Sequence, residues 1–284
     1  MPLLLPLAIV VGVVLLAIVG PGVAPFPDAL AGRPLLPPSA AHPLGTNAIG
    51  QDLFAQLIAG ARASVLAGAL GSAVSTVIAV LVGLAASAGR RADALARAAA
   101  DLFLALPLLP LVILVVALAG PSITTIALTL GLLSWPAFAR VVRAQTISEQ
   151  ARGHVLAARA IGASRLYIVR RHLLPAIAPF ALAKAVLTIQ YVVLAEASLG
   201  FLGLGDPAVT SWGNAVSRAL AHPLIFSSGV WLWWLAPPAI AIAAFVASLA
   251  LLGTTLEVNG HRWFSARGGS AGAGQRPQRS SDGR

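Results

Sequence analysis

The stretch LFLALPLLPLVILVVALAGPSITTIALTLGLLSWPAFA, residues 102–139, runs for 38 positions between Asp101 and Arg140 without a charged side chain. As one helix rising 1.5 Å per residue it would extend about 57 Å, nearly twice the roughly 30 Å of a hydrocarbon core. The chain therefore has to turn inside it. Gly120-Pro121-Ser122 stands at its middle and carries turn chemistry, which predicts two apolar helices, 99–119 and 122–142.

The same requirement of about 20 apolar residues per crossing extends the reading in both directions. Residues 3–25 form a first span. A signal peptide is the rival reading, but this run exceeds the roughly 7 to 15 apolar residues of such a segment and no basic start precedes it, so a retained helix is expected. The uncharged interval between Arg62 and Arg90 predicts a span at 64–88, and a fifth is expected at 176–200. The sixth, 229–253, opens on WLWW, where Trp231, Trp233 and Trp234 fit an interfacial belt. Ala and Gly recur in these segments, as close helix packing in lipid requires. The expectation is an all-α membrane protein of six transmembrane helices. Residues 1–26 carry the first, 27–63 an extracytoplasmic loop, 64–256 the remaining five, and 257–284 a disordered basic tail.

Composition supports this class. Hydrophobic residues make up 58% of the 284 positions and charged residues 10%, against about a quarter charged in soluble domains. Mean hydropathy is +0.88. The net charge of +10 would suit nucleic acid only on a soluble basic domain, and none is visible, so the bilayer and not a nucleic acid is the expected environment. Fifteen arginines fall in loops two and four and the tail, and three, Arg33, Arg62 and Arg218, fall in loops one, three and five. The excess of basic residues on cytoplasmic loops then assigns loops two and four, and both termini, to the cytoplasm. Cysteine is absent, which removes disulfides and thiolate metal sites.

Loop four holds the densest charge. HVLAARAIGASRLYIVRRHLLP, residues 154–175, carries four arginines and two histidines. Thr146 to Glu149, TISE, fits a capping box and predicts a helix from about residue 147 to Gly162. A second helix is expected behind Ser164, lying along the headgroups until Pro175 opens span five. An ordinary basic loop that anchors topology is the bland alternative. Small residues at Ala157, Ala158, Ala160 and Gly162 favour more, because they let another protein approach the helix backbone.

These residues resemble the cytoplasmic "EAA" loop of ABC importer permeases, whose pattern is Glu-Ala-Ala, three residues, Gly, nine residues, then a hydrophobic pair closing in Leu-Pro. Ala157, Ala158, Gly162, Leu174 and Pro175 stand at the matching spacing, while Leu156 occupies the glutamate position. HPLGTNAIGQDLFAQLIAGARAS from His42, WPAFARVVRAQ from Trp135, AEASLGFLGLG from Ala195 and SWGNAV from Ser211 are similar to the dipeptide/oligopeptide/nickel branch, its C-type permease, over about residues 42–256. The resemblance implies a type I ABC importer permease without a cofactor, paired with a second permease subunit as a heterodimer. Two ATP-binding subunits and an extracytoplasmic solute-binding protein would complete the machine. The loop helix would sit in a groove on an ATPase subunit, and di- or oligopeptides, with nickel as the alternative, would be the cargo. Leu156 removes a charged contact from that docking.

Two charges remain inside span five, where burial is costly and usually purposeful. Lys184 can snorkel toward the cytoplasmic side or line the path. Glu196 can line the path or accept hydrogen bonds from the glycine-rich turn that follows. Twelve positions apart, they lie on different helix faces, so an ion pair between them is not expected. The five histidines show no ligand spacing, and no metal site is expected. A Walker-type GxxxxGK is missing and Lys184 is the only lysine, which excludes the ATP-hydrolysing subunit. No predicted span contains a histidine, which argues against an intramembrane hydrolase. A proton-coupled carrier using Glu196 and Lys184 is the remaining rival.

Overall fold

The computed structural model describes residues 3–24, 27–227 and 229–269. The helices are α1 (Leu4–Val23), α2 (Leu53–Ala85), α3 (Arg90–Ala105), α4 (Leu108–Ala119), α5 (Ile123–Gln150) and α6 (Gly153–Ala160). There follow α7 (Arg165–Ile168), α8 (Leu174–Phe201), α9 (Trp212–Leu220), α10 (Trp231–Trp234) and α11 (Ala236–Gly269). Only two isolated β-bridges, Leu30 to Gln51 and Thr46 to Asp52, are found among the described residues.

Five segments have the length and apolarity to cross a membrane: Leu4–Val23, Leu53–Ala85, Ile123–Gln150, Arg165–Phe201 and Trp231–Val258. The sixth is not the straight helix expected at 99–119. It is a pair, α3 and α4, bent by 81°. Pro107 causes the bend: it forces Leu106 into an extended conformation, ψ 133°, and donates no N–H of its own. The turn at Gly120-Pro121-Ser122 is where the sequence placed it, with Gly120 at φ +87° and Ser122 Oγ accepting from Thr125 N.

Several helices run past their apolar windows. Residues 53–63, expected in the first loop, are the opening turns of α2, which Asp52 caps by accepting from Phe54 N and Ala55 N. Helix α11 continues to Gly269, so residues 257–269 of the expected tail are helical, while 270–284 lie outside the described residues. The segment 165–173 is no separate headgroup helix. It joins α8 through one π-helical turn at Val169–Leu173. Pro175 has no N–H for the Arg171 carbonyl and its ring crowds that carbonyl, which the widened turn relieves.

The bundle is built around α2, which packs on α5 and α8, while α11 packs on α8 and α1 bridges α2 and α11. Small residues make the approach close. A Cβ on Gly131 would stand 2.6 Å from the Gly71 carbonyl, and one on Gly83 would stand 2.6 Å from Val142. Without a hydrophobic drive between helices in lipid, such backbone proximity supplies the dispersion that holds them. Two acid–arginine pairs, Asp93 with Arg143 and Asp101 with Arg140, fasten amphipathic α3 to α5.

Candidate functional site

The basic loop differs from its predicted layout in one respect that decides its geometry. Helix α5 runs through TISE to Gln150, and Thr146 Oγ1 donates to Val142 O at 2.7 Å inside that helix, so the expected capping box does not form. No glycine or proline occurs between Thr146 and Gly153, and the turn of helix already running into Thr146 satisfies the N–H groups that a cap would serve. The elbow lies at Arg152, extended at ψ 144°. Buried Glu149 fastens it: Oε2 lies 3.0 Å from Arg152 Nε and Oε1 3.2 Å from His154 Nε2.

Helix α6 then spans only Gly153–Ala160. Its end is a Schellman motif, in which Ala163 N donates to Ala158 O and Gly162 N to Arg159 O, with Gly162 at φ +85°. Ser164 Oγ accepts from Tyr167 N and starts α7. Val155 is fully buried against Ile168 and Leu173. Ala158, three positions on, turns inward with it, whereas Leu156, Ala157, Arg159 and Ile161 face outward. The outward face of the loop helix therefore contains Ala157 but not Ala158. Leu174 and Pro175 lie at the first turn of α8, both exposed.

Histidines that looked scattered in sequence meet here. The rings of His154 and His172 are 5.3 Å apart and Tyr167 stacks edge-on to His172 at 5.9 Å, around an open cavity of about 680 Å³ beside Ala157 and Ile161. Nothing in their spacing of 18 positions announced this, because the meeting depends on the elbow at Arg152.

The two intramembrane charges have different surroundings. Glu196, 2% exposed, is held by the hydroxyls of Ser64 on α2 and Ser211, the residue that caps α9. Lys184 Nζ lies 2.8 Å from Glu257 Oε1 on α11. Sequence reasoning missed Glu257 because it assigned residue 257 to the tail; a lone acid following an apolar run that faces a lone lysine was the available signal. Lys184 also lines an open cavity of about 400 Å³ between the α3–α4 bend, α5 and α8, together with Phe103, Ser134, Thr188 and Tyr191. Glu196 does not line it.

The elbowed short helix α6 and the Leu-Pro that opens α8 fall within residues 75–259, which match the family described as binding-protein-dependent transport system inner membrane component. The chain belongs to that family. A putative peptide permease protein of Brucella suis biovar 1 is 34% identical over 208 residues, 72% of this chain and 68% of the relative. The probable D,D-dipeptide transport system permease protein DdpC of Escherichia coli is 34% identical over 77% of this chain and 72% of its own. The dipeptide transport system permease protein DppC of Bacillus subtilis is 35% identical over 78% and 69%. The fold is shared with a chain of the MetNI methionine ABC transporter, solved in inward facing conformations, at TM-score 0.52 and 21% identity, over 74% of this permease and 95% of that chain. The protein is a multi-pass permease subunit of an ABC importer.

Proposed function

We propose that this permease pairs with a second, different permease subunit to form the path for di- or oligopeptides, that one of two ATP-binding subunits docks against α6, and that a solute-binding protein delivers cargo from outside. The observation that carries the reading is the construction of α6. Its outward face presents the apolar side chains of Leu156, Ala157 and Ile161 beside Arg159, and the start of the helix is braced to the bundle by Glu149 and by buried Val155. A partner moving that face would move α5 and α8 with it, which is the rigid link that coupling needs. Contact through Ala157 and Leu156 needs no glutamate at position 156.

The cavity containing Lys184 supports the peptide reading, as do the names of the relatives. Ser134 and Thr188 give their hydroxyl protons to their own helices, at Leu130 O and Lys184 O, so their oxygens remain acceptors for a passing backbone N–H. Apart from Lys184 and Tyr191 the rest of the wall is apolar. The cavity is open on one side, where a second permease would supply the opposite wall. ATP hydrolysis belongs to the partner subunits in this reading, since the sequence has no Walker lysine. The loop at Gly162 and the C-terminal end of α11 face the cytoplasm, following the arginine excess.

Co-purification in mild detergent, followed by mass spectrometry of the ligand retained by the cognate binding protein, tests the assignment. Two ATPase subunits and a short peptide are expected. Purification without any ATPase, or a sugar or inorganic anion on the binding protein, would overturn it.

A further inference from the structure

A cavity of about 460 Å³ opens where the ends of α2, α5 and α6 meet the start of α7. Its floor is apolar, formed by Leu84, Ile168, Val169 and Leu173, and its rim carries Arg159 and Arg165. No acidic side chain lines it. Arg165 Nη1 donates to the Ala88 carbonyl at 3.4 Å, which holds that guanidinium at the lip, and Arg159 is exposed. Arg90 and Arg91, also exposed, follow Ala88 by two and three positions and add to the local positive field.

We propose that this cavity binds the phosphate headgroup of an anionic phospholipid, with the arginines on the phosphate and the glycerol and first acyl carbons on the apolar floor. Depth in the membrane favours a lipid. Leu84 lies in the last turn of α2, near the end of the uncharged run, and Arg90 is the first charge after that run, which sets the cavity at the level where hydrocarbon gives way to headgroups. A free phosphate would use the arginines but leave the apolar floor of the cavity uncovered. An acidic protein segment would need no apolar floor of this kind. The site lies beside Ala163, which closes the α6 end cap, so an occupied cavity would brace the loop helix against the bundle. The inference rests on the cytoplasmic orientation proposed above.

The test uses the assembled transporter, delipidated in mild detergent and titrated with phosphatidylglycerol or phosphatidylcholine, with retained lipid read by native mass spectrometry. Basic residues at an anionic surface contribute about 1 kcal/mol each, which is about fivefold in affinity. Arg159→Gln is expected to lower phosphatidylglycerol retention by about that factor, and Arg159→Gln with Arg165→Gln by more, with phosphatidylcholine retention unchanged. If the double variant fails to assemble, Arg159→Gln alone decides, because among the described residues its guanidinium is exposed and holds no other part of the fold. Equal retention in Arg159→Gln and unmodified complexes would overturn the site. Displacement of the lipid by millimolar inorganic phosphate would reassign it to free phosphate, and a photo-crosslinker at residue 159 that captured an ATPase subunit instead of lipid would reassign it to the protein interface. External labelling of a cysteine at Ser164 would refute the orientation without altering the lipid measurements.

Discussion

Lys184 and Glu257 are 26% and 30% exposed and join α8 to α11 at 2.8 Å. Among the described residues each charge is paired with the other, and an unpaired charge in a membrane segment costs about 2.5–3.5 kcal/mol on insertion scales. Lys184→Met alone and Glu257→Gln alone are each expected to lower the thermal stability of the purified complex more than the double substitution does. Additive losses would mean that the pair contributes no coupling. Glu196 calls for a different experiment, because its carboxylate serves two hydroxyls and does not line the cavity at Lys184. Glu196→Gln keeps an acceptor and should leave stability nearly unchanged, whereas Glu196→Leu strands Ser64 and Ser211 at a cost of about 1–3 kcal/mol. Thermal unfolding in detergent separates the two; equal melting temperatures would refute the structural role.

At the scale of the element, α6 divides into two faces that substitutions can tell apart. Ala157→Arg adds a bulky cation to the outward face and should abolish substrate uptake while the protein still folds and inserts. Ala158→Arg drives the same group inward toward Val155 and should instead reduce folded protein, visible as lower expression and early thermal unfolding. Leu156→Glu, on the outward face, should leave uptake largely intact. Gly162→Val meets no neighbour, since a Cβ there has nothing within 4 Å, so its penalty is conformational: about 1–2 kcal/mol for a left-handed residue. Uptake and ATPase activity in reconstituted complexes read all four. Normal uptake by Ala157→Arg would reduce the loop to a topological anchor. The end of α6 was legible from Gly162 alone, because a left-handed terminus is a local demand on one residue. Its start was not, because TISE has cap chemistry but sits in a helix already running.

For the whole molecule, the distribution of arginines predicts orientation. Cysteines introduced at Ser164 and Ser265 should be protected from an impermeant thiol reagent in intact cells, and one at Ala40, exposed in the first loop, should react. Labelling at Ser164 or Ser265 would reject the arrangement. The bent third span belongs to this scale as well. Asp93 and Asp101 hold α3 to arginines of α5, so the 81° bend at Pro107 is fixed by long-range pairs as well as by the proline.

The sequence by itself determined the class, the number of apolar segments, the turn at Gly120 and the end of α6 at Gly162, because each depends on local length, apolarity or a single dihedral preference, and it carried the family through motifs that stand in order along the chain. Tertiary structure alone decided how far the helices run beyond those segments, since a helix continues wherever neighbours or solvent satisfy its backbone. It alone decided which face of α6 is outward, how His154 meets His172, and how Glu196 meets Ser64 across 132 positions of chain. Those meetings are set by the packing of α2, α5 and α8 against one another. No single segment encodes the distance between side chains on two helices, which depends on how closely both backbones approach and on the rotation of each about its axis.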